Sequence, residues 1–354
     1  MQSDKYEIVI IGAGPAGLAA AEVLAKNKKE VLVLEKKKII GKKVCGGGLS
    51  SKFLESKYPI KEIGDRFFDS VNYYYQDKKR KVSSKNPLIV ITEREKLGEY
   101  MADVATKAGA KIKLGFLVEK IEDGFMVVNG KKIYFDFLIG ADGSNSIVRR
   151  FLNIPSKKFL FSLGYNIPKK YKNLEIFFDS KIFGDGYGAI FPHKDYTQIG
   201  ITIDSNFYTI KEARKVLDNW IKKMKFNIKN GKFMAGIINY DYRGFDFGNK
   251  FLIGDAGGFA SGLTGEGIFQ AILSGKEVAK KIINPDYNCP GIKHILTYKF
   301  LQERILKRLL GSKYQLISKI AFNIITLSAR QNKSIKTIIK IVPNLKKPLG
   351  SLIK

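Results

Sequence analysis

A glycine-rich turn near the N-terminus constrains the fold of this chain more than any other feature. Residues 6–11 are mostly apolar, and the sequence GAGPAG follows at residues 12–17 and opens a helix-forming segment. In such a turn Gly12 permits a tight bend, Gly14 lets the backbone approach a diphosphate, and Gly17 lets helix and strand pack closely. The positive end of the helix then holds the diphosphate, with Ala16 in its first turn. This order of strand, turn and helix predicts a dinucleotide-binding unit of the Rossmann type.

The next apolar strand, residues 31–34, is followed by an acidic residue. Glu35 lies 18 positions after Gly17, where a carboxylate can accept hydrogen bonds from the ribose of a bound adenosine. The same negative charge would repel a 2′-phosphate. We therefore predict that this turn does not hold NADP.

Two further glycine-rich segments follow apolar strands. They read GADGSNS at residues 140–146 and GDAGG at residues 254–258, and they resemble the corresponding segments of the p-hydroxybenzoate-hydroxylase-like flavoproteins. The resemblance implies that the cofactor is FAD, that the backbone near Asp142 supports the nucleotide, and that Asp255 hydrogen-bonds the ribityl chain. It also implies that Gly267 and Ile268 present amides to the flavin ring, at a helix start whose dipole stabilises the reduced, anionic flavin.

Two motifs point to one branch of these flavoproteins. The loop KKVCGGGL at residues 42–49 and the segment YGAIFP at residues 187–192 resemble signatures of the geranylgeranyl reductase family. Val44 stands where that family has Pro, Ala189 where it has Trp, and His193 where it has Lys. The resemblance implies that the loop passes next to the flavin and that the second segment lines a lipid cavity. The residues concerned are Cys45, Gly46 and Gly48 in the loop, and Tyr187, Ala189, Phe191 and Pro192 in the cavity.

Three single residues complete the predicted site. The same resemblance implies that Arg94 contacts the flavin and that Val118 lies near the adenine through its backbone. Cys45 is the candidate catalytic residue because its neighbouring glycines allow the loop to approach the ring closely. The alternative interpretations are that Arg94 is a surface arginine, that Val118 is an ordinary strand residue and that Cys45 is a small buried hydrophobe. No other sequence feature assigns a role to His193 or His294, and no metal site is predicted.

The strand and helix patterns predict an α/β chain, α+β overall, in three parts. Residues 1–65, 90–155 and 248–290 form a discontinuous Rossmann-type FAD-binding domain. Residues 66–89 and 156–247 alternate aromatic and polar positions and form an inserted antiparallel-sheet domain for substrate. Residues 291–354 form a basic helical C-terminal region.

The charge of the chain is strongly positive. It has 62 Lys and Arg against 33 Asp and Glu, which gives a formal net charge of +29. Residues 291–354 carry 14 of the basic residues and a single acidic residue. A lysine-rich composition of the source would produce the same excess. An anionic membrane surface or an acidic protein fits this charge. Nucleic acid is not predicted as a partner, because no recognition motif accompanies the charge.

The C-terminal region has the pattern of basic amphipathic helices. Such helices bind the headgroup region of anionic lipids, or they cap the fold with a solvated basic face. Apolar residues at helical spacing are Ile295, Tyr298, Leu301, Ile305 and Leu309, and the basic residues among them are Lys299, Arg304, Lys307 and Arg308. With two cysteines, no secretory signal and no run of 18 apolar residues, we expect a cytoplasmic protein, peripheral on the inner face of the cell membrane.

These features together predict an FAD-dependent reductase that saturates carbon–carbon double bonds of an isoprenoid or prenyl lipid. Ferredoxin, NAD(P)H or a reduced deazaflavin are the candidate electron donors, since a second dinucleotide turn is absent from the sequence. A flavin monooxygenase or halogenase of the same fold is one alternative, although the only tryptophan, Trp220, lies outside the halogenase signature segment. A non-enzymatic prenyl-lipid-binding protein that retains flavin is the other.

Overall fold

The computed structural model describes residues 4–54, 58–76 and 78–303. In chain order the strands are β1 (Asp4–Ile11), β2 (Val31–Glu35), β3 (Gly48–Ser50), β4 (Arg66–Phe68), β5 (Ser70–Tyr75), β6 (Lys78–Ser83), β7 (Ile89–Ile91), β8 (Lys111–Leu114), β9 (Val118–Glu122), β10 (Phe125–Val128), β11 (Lys131–Gly140), β12 (Phe159–Ile167), β13 (Glu175–Phe178), β14 (Tyr187–Pro192), β15 (Thr197–Asp204), β16 (Lys232–Asn239) and β17 (Lys250–Leu252). The helices are α1 (Pro15–Lys26), α2 (Ser51–Leu54), α3 (Ile60–Ile63), α4 (Arg94–Lys107), α5 (Ile147–Phe151), α6 (Ser180–Phe183), α7 (Ile210–Lys223), α8 (Ile268–Ile283) and α9 (Pro290–Leu301).

The first sheet contains five parallel strands in the order β8-β2-β1-β11-β17. The antiparallel strands β10 and β9 extend it beside the first half of β11. Helices α1, α4 and α8 contribute to the apolar cluster that covers one face of this sheet. Because the parallel strands run in one direction, the turns after β1, β2, β11 and β17 open at the same edge, which is where doubly wound folds bind ligands. The predicted mixed α/β, Rossmann-type architecture is confirmed.

The second sheet has the order β16-β12-β15-β14-β13-β5-β6 and is antiparallel except between β5 and β13. One face packs against α7, where Trp220 contacts the rings of Phe177 and Phe183. The other face carries a second apolar cluster that includes Leu263 and residues of α9. The sheet therefore separates α7 from the side that faces the glycine-rich segments.

A small third sheet joins two distant parts of the chain. Its strand order is β3-β7-β4, and β7 pairs antiparallel with both neighbours. Strand β3 begins at Gly48, at the end of the glycine loop, and β7 ends three residues before Arg94. This pairing fixes the position of the loop relative to the start of α4.

Helix α9 corrects one part of the predicted basic amphipathic pattern. Lys299 does not lie on a solvated face: it is 3% exposed, its ammonium group donates to the carbonyl oxygen of Ala260 over 2.8 Å, and it forms an ion pair with Glu303. Ile295 is buried as expected. The remaining predicted positions, from Arg304 onwards, lie outside the described residues. Within residues 4–54, 58–76 and 78–303, no helix combines the length and the apolar character needed to cross a bilayer.

Candidate active site

The first glycine turn has the backbone geometry of a dinucleotide-binding site. Gly12 has φ +107°, and a side chain there would overlap the carbonyl group of Ala141. A side chain at Gly17 would overlap the carbonyl oxygen of Gly12, whereas the space in front of Gly14 contains no described atom within 4 Å. Ala16 is buried in the first turn of α1. The turn is therefore closed toward the sheet and open at Gly14, where a diphosphate would approach.

Glu35 lies beside this turn at the end of β2. Its Oε2 accepts a hydrogen bond from the backbone N–H of Ala13 over 3.0 Å. Its Oε1 accepts one from the backbone N–H of Lys37 over 2.9 Å. These two bonds orient the carboxylate at the edge of the sheet. The predicted ribose acceptor is thus adjacent to the glycine turn.

Asp142 and Val118 both have side chains that are engaged within the protein. Asp142 Oδ2 accepts hydrogen bonds from the amides of Ile147 (2.6 Å) and Val148 (3.4 Å) at the start of α5. Burial raises the pKa of Asp142 above its usual value, and its Oδ1 has no partner among the described residues. The side chain of Val118 is 6% exposed and packs in the core beneath the sheet, so the backbone alone is left for a nucleotide.

Asp255 follows β17 and meets the loop that precedes Cys45. Its Oδ2 lies 2.6 Å from the ammonium nitrogen of Lys43 and 3.2 Å from the hydroxyl of Ser144. A side chain at Gly267, the residue preceding α8, would come within 3.2 Å of Asp255 Oδ1. No described side chain caps α8, so the amides from Ile268 onwards are available at that helix end.

The loop that contains Cys45 packs against strand β14. The ring of Phe191 lies 3.0 Å from the position of a Cβ on Gly46 and 3.4 Å from one on Gly48. The amide of Gly47 donates to the sulfur of Cys45 over 3.4 Å, and the thiol is part exposed. Gly46 and Gly48 therefore allow close contact between the loop and Phe191, whereas a side chain at Gly47 would meet the carbonyl oxygen of Thr92.

Strand β14 spans from this loop to the start of α8. The hydroxyl of Tyr187 donates to the carbonyl oxygen of Thr264 over 2.6 Å, and burial raises the pKa of Tyr187 to about 12. Ala189 is buried between Tyr187 and Phe191 on the same face. The structure does not bring Pro192 to that face: strand alternation puts it with Ile190, on the side that packs against α7.

Arg94 has buried donor atoms that are available to a ligand. It begins α4, and its Nε and Nη1 are buried without a hydrogen-bond partner among the described residues. Buried guanidinium donors are rarely left unsatisfied in a complete site. With the open space at Gly14 and the uncapped starts of α1 and α8, these donors fit the diphosphate and ring of a flavin dinucleotide.

The sequence analysis did not predict the polar cluster that lies behind the Cys45 loop. His193 Nδ1 lies 2.8 Å from Glu93 Oε1, and the hydroxyl of Tyr196 donates to Glu93 Oε2 over 3.2 Å. Asp65 stands close enough that one ligand atom from each of Asp65, Glu93 and His193 lies within 4.8 Å of the others. The motif at residues 187–192 ends one residue before His193, which was the available hint.

The fold and this site define an FAD-dependent oxidoreductase. The sequence model of the Thi4 family matches residues 2–133. An uncharacterized protein of Methanosarcina barkeri is 34% identical over 291 residues, covering 78% of this chain and 74% of that protein. Digeranylgeranylglycerophospholipid reductase 3 of Methanosphaera stadtmanae is 27% identical, and the match covers 97% of this chain and 96% of that protein. The crystal structure of a geranylgeranyl bacteriochlorophyll reductase-like protein from Thermoplasma acidophilum matches with a TM-score of 0.79 at 23% identity. The match covers 99% of this chain and 100% of that chain.

The chain belongs to the geranylgeranyl reductase family, and FAD is its cofactor. The resemblance drawn from the loop at residues 42–49 and the segment at residues 187–192 is therefore confirmed at the level of the family. The roles of the individual site residues remain predictions.

Proposed function

We propose that this protein reduces carbon–carbon double bonds in the prenyl chains of a membrane lipid. One observation carries the proposal: an apolar face of the second sheet runs from the Cys45 loop to the start of α8, which are the two predicted walls of the flavin ring. The face is lined by Phe68, Tyr73, Tyr75, Ile176, Phe178, Tyr187, Phe191 and Leu263. A relative that covers nearly the whole chain is named as a lipid reductase of this kind, which supports the same substrate class.

The bound FAD would supply a hydride to one carbon of the alkene. The side chains of the protein must bind the alkene, exclude water and donate the proton. An isolated alkene is a weak electrophile, so it must be held close to the flavin while water is excluded. The apolar face of the second sheet would hold the alkene chain, and Phe191 packs where this face meets the Cys45 loop. Cys45 stands at this wall and is the proposed proton donor to the neighbouring carbon.

The electron donor is proposed to be an acidic protein such as ferredoxin, with NAD(P)H or a reduced deazaflavin as the other candidates. An exposed edge strand supports an acidic partner. In β6 the consecutive residues Lys78, Lys79, Arg80 and Lys81 are all exposed. Such a strip attracts an oppositely charged carrier at low ionic strength.

Attachment to the inner face of an anionic membrane belongs to the same proposal. It rests on the basic sequence of residues 291–354, with attraction of about 1 kcal/mol per Lys or Arg near the surface. The test is co-sedimentation of the protein with vesicles that contain anionic lipid, at low salt. The double variant Lys307→Glu, Arg308→Glu should bind more weakly while keeping its flavin, and a wild-type protein that ignores such vesicles would refute the attachment.

The activity is tested by a single-turnover experiment that needs no physiological donor. The protein is photoreduced without oxygen, and a digeranylgeranyl lipid is then added while the flavin spectrum is followed. We expect the lipid to reoxidise the flavin and to gain two hydrogens by mass spectrometry. Reoxidation by oxygen alone would indicate a monooxygenase, and a flavin that neither lipid nor oxygen reoxidises would indicate a binding protein.

A further inference from the structure

A buried histidine stands behind the Cys45 loop with a carboxylate on one nitrogen. His193 is 2% exposed, and its Nδ1 lies 2.8 Å from Glu93 Oε1. The hydrogen bond from His193 is the main reason that the pKa of Glu93 falls below its usual value. The ring of Tyr196 stacks on the imidazole at a centroid distance of 4.2 Å. Glu93 and Tyr196 thus hold the ring in one orientation.

The second ring nitrogen of His193 is free to act on the loop. His193 Nε2 is buried and has no hydrogen-bond partner among the described residues. The neighbouring ring carbon, Cε1, lies 3.2 Å from the position of a Cβ on Gly47, and the amide of Gly47 bonds the sulfur of Cys45. The backbone of Gly47 therefore lies against both the imidazole of His193 and the thiol of Cys45.

Two carboxylates and one ammonium group surround His193. Lys96 of α4 lies 2.9 Å from Asp65 Oδ1 and also acts on Glu93. Lys96 offsets one of the two negative charges and holds Asp65 Oδ1 in an ion pair, which a metal cation at Asp65, Glu93 and His193 would have to displace. The arrangement of carboxylate, imidazole and thiol loop is that of a proton path instead.

We propose that His193 is a positioning residue that returns a proton to Cys45 during alkene reduction, with Glu93 fixing its orientation. This rests on the proposed function. In each turnover the S–H bond of Cys45 breaks as its proton forms a C–H bond on the alkene carbon next to the one that receives the hydride. The sulfur then takes a proton from His193 Nε2, and His193 recovers one from solvent. The alkene gains one hydride and one proton, and the reduced flavin is the only electron source.

The first test is His193→Asn, whose amide can still donate to Glu93 but cannot carry a proton at the Nε2 position. In the single-turnover assay we expect reoxidation by lipid to slow by about 100-fold, with a larger solvent deuterium isotope effect. The control is His294→Asn in α9, an exposed histidine away from Glu93. Imidazole added to His193→Ala should restore part of the rate. A rate for His193→Asn within twofold of the wild type, or a slow rate with an unchanged isotope effect and no rescue, would overturn the proposal.

The second test does not depend on alkene reduction. Cys45 of the oxidised holoenzyme is alkylated with a small reagent and the modified peptides are quantified by mass spectrometry. Cys289, which is 2% exposed, serves as the unreactive reference in the same digest. We expect alkylation of Cys45 to slow severalfold in His193→Asn, because the reacting thiolate loses the imidazole that exchanges a proton with it. Equal rates with intact flavin would refute the coupling between His193 and Cys45 whatever the substrate proves to be.

Discussion

Lys43 and Asp255, 212 residues apart in the chain, form an ion pair with 2.6 Å between Nζ and Oδ2. The pair ties the start of the Cys45 loop to the turn that leads into α8. The carboxylate of Asp255 is 10% exposed while the lysine is 44% exposed. The lysine can therefore turn away toward solvent when a ligand hydroxyl takes its place at the carboxylate.

Replacing Asp255 by Ala should remove most of the affinity for FAD. A charge-assisted hydrogen bond to the ribityl chain contributes roughly 1.5–3 kcal/mol, which corresponds to about a 10- to 150-fold weaker Kd. Fluorescence titration of the apoprotein with FAD measures this. Asp286→Ala, an exposed aspartate between α8 and α9, should bind FAD as the wild type does. If Lys43→Met weakens FAD as much as Asp255→Ala, the carboxylate serves only the ion pair and its assignment to the ribityl chain is wrong.

The two glycines Gly14 and Gly17 should respond differently to the same substitution. Gly17→Ala places a methyl group on the carbonyl oxygen of Gly12, so we expect a loss of unfolding free energy on the order of 1–3 kcal/mol from overpacking. Gly14→Ala meets no described atom within 4 Å and should keep the wild-type melting temperature while binding FAD at least about tenfold more weakly. Thermal melts and FAD titrations of both variants separate the two effects. Tight FAD binding by Gly14→Ala would place the diphosphate elsewhere.

Arg149 should be essential to stability although it is absent from the predicted site. It is 2% exposed and donates to the carbonyl oxygens of Ala256, Asp241 and Pro155 over 3.1, 2.7 and 3.1 Å. Arg149→Met leaves three acceptors without a donor, so we expect the unfolding free energy in urea to fall by about 3 kcal/mol or more. The adjacent Arg150 is exposed, and Arg150→Met should change the unfolding free energy by less than about 0.5 kcal/mol. Equal effects of the two variants would contradict this role of Arg149.

Glu93 should make the stability of the protein sensitive to acid. Its pKa is lowered in the folded state from the usual 4.5, chiefly by the hydrogen bond from His193. A carboxylate of this kind stabilises the fold fully above that usual value, and the contribution disappears as pH falls through the lowered pKa. The melting temperature of Glu93→Gln should therefore lie below that of the wild type at pH 6 to 7, and the difference should shrink below pH 4.5. Glu99→Gln, an exposed position in α4, should show no such convergence.

The parts of the protein that the sequence predicts are those in which local pattern and geometry coincide. The strand, turn and helix at residues 6–26 follow one another, so their spacing alone determines the fold there. The same holds at Asn129 and Gly130, an Asn-Gly pair that is typical of hairpin turns, where both residues have positive φ. The family was recognisable because its motifs are contiguous.

The groups that escaped prediction are joined across long distances in the chain. Glu93 and His193 are 100 residues apart. Glu93 follows β7, which pairs with β3, and the loop that leads into β3 packs against Phe191 of β14, just before His193. Lys299 was misassigned because helical spacing cannot show that a neighbouring turn offers a carbonyl oxygen at Ala260. Burial of a lysine depends on its partners, and no periodic pattern reports them.

Helices α1 and α8 interlock where they cross. The carbonyl oxygen of Ala16 occupies the space that any side chain on Gly275 would need, and Ala16 also packs against Gly254. Neither helix can slide or part from the other without losing this contact, so their starting ends keep a fixed separation whether or not a cofactor lies between them. The cofactor cleft is thus assembled during folding, and we expect amide hydrogen exchange in the middle of both helices to be equally slow in the apoprotein and the holoprotein.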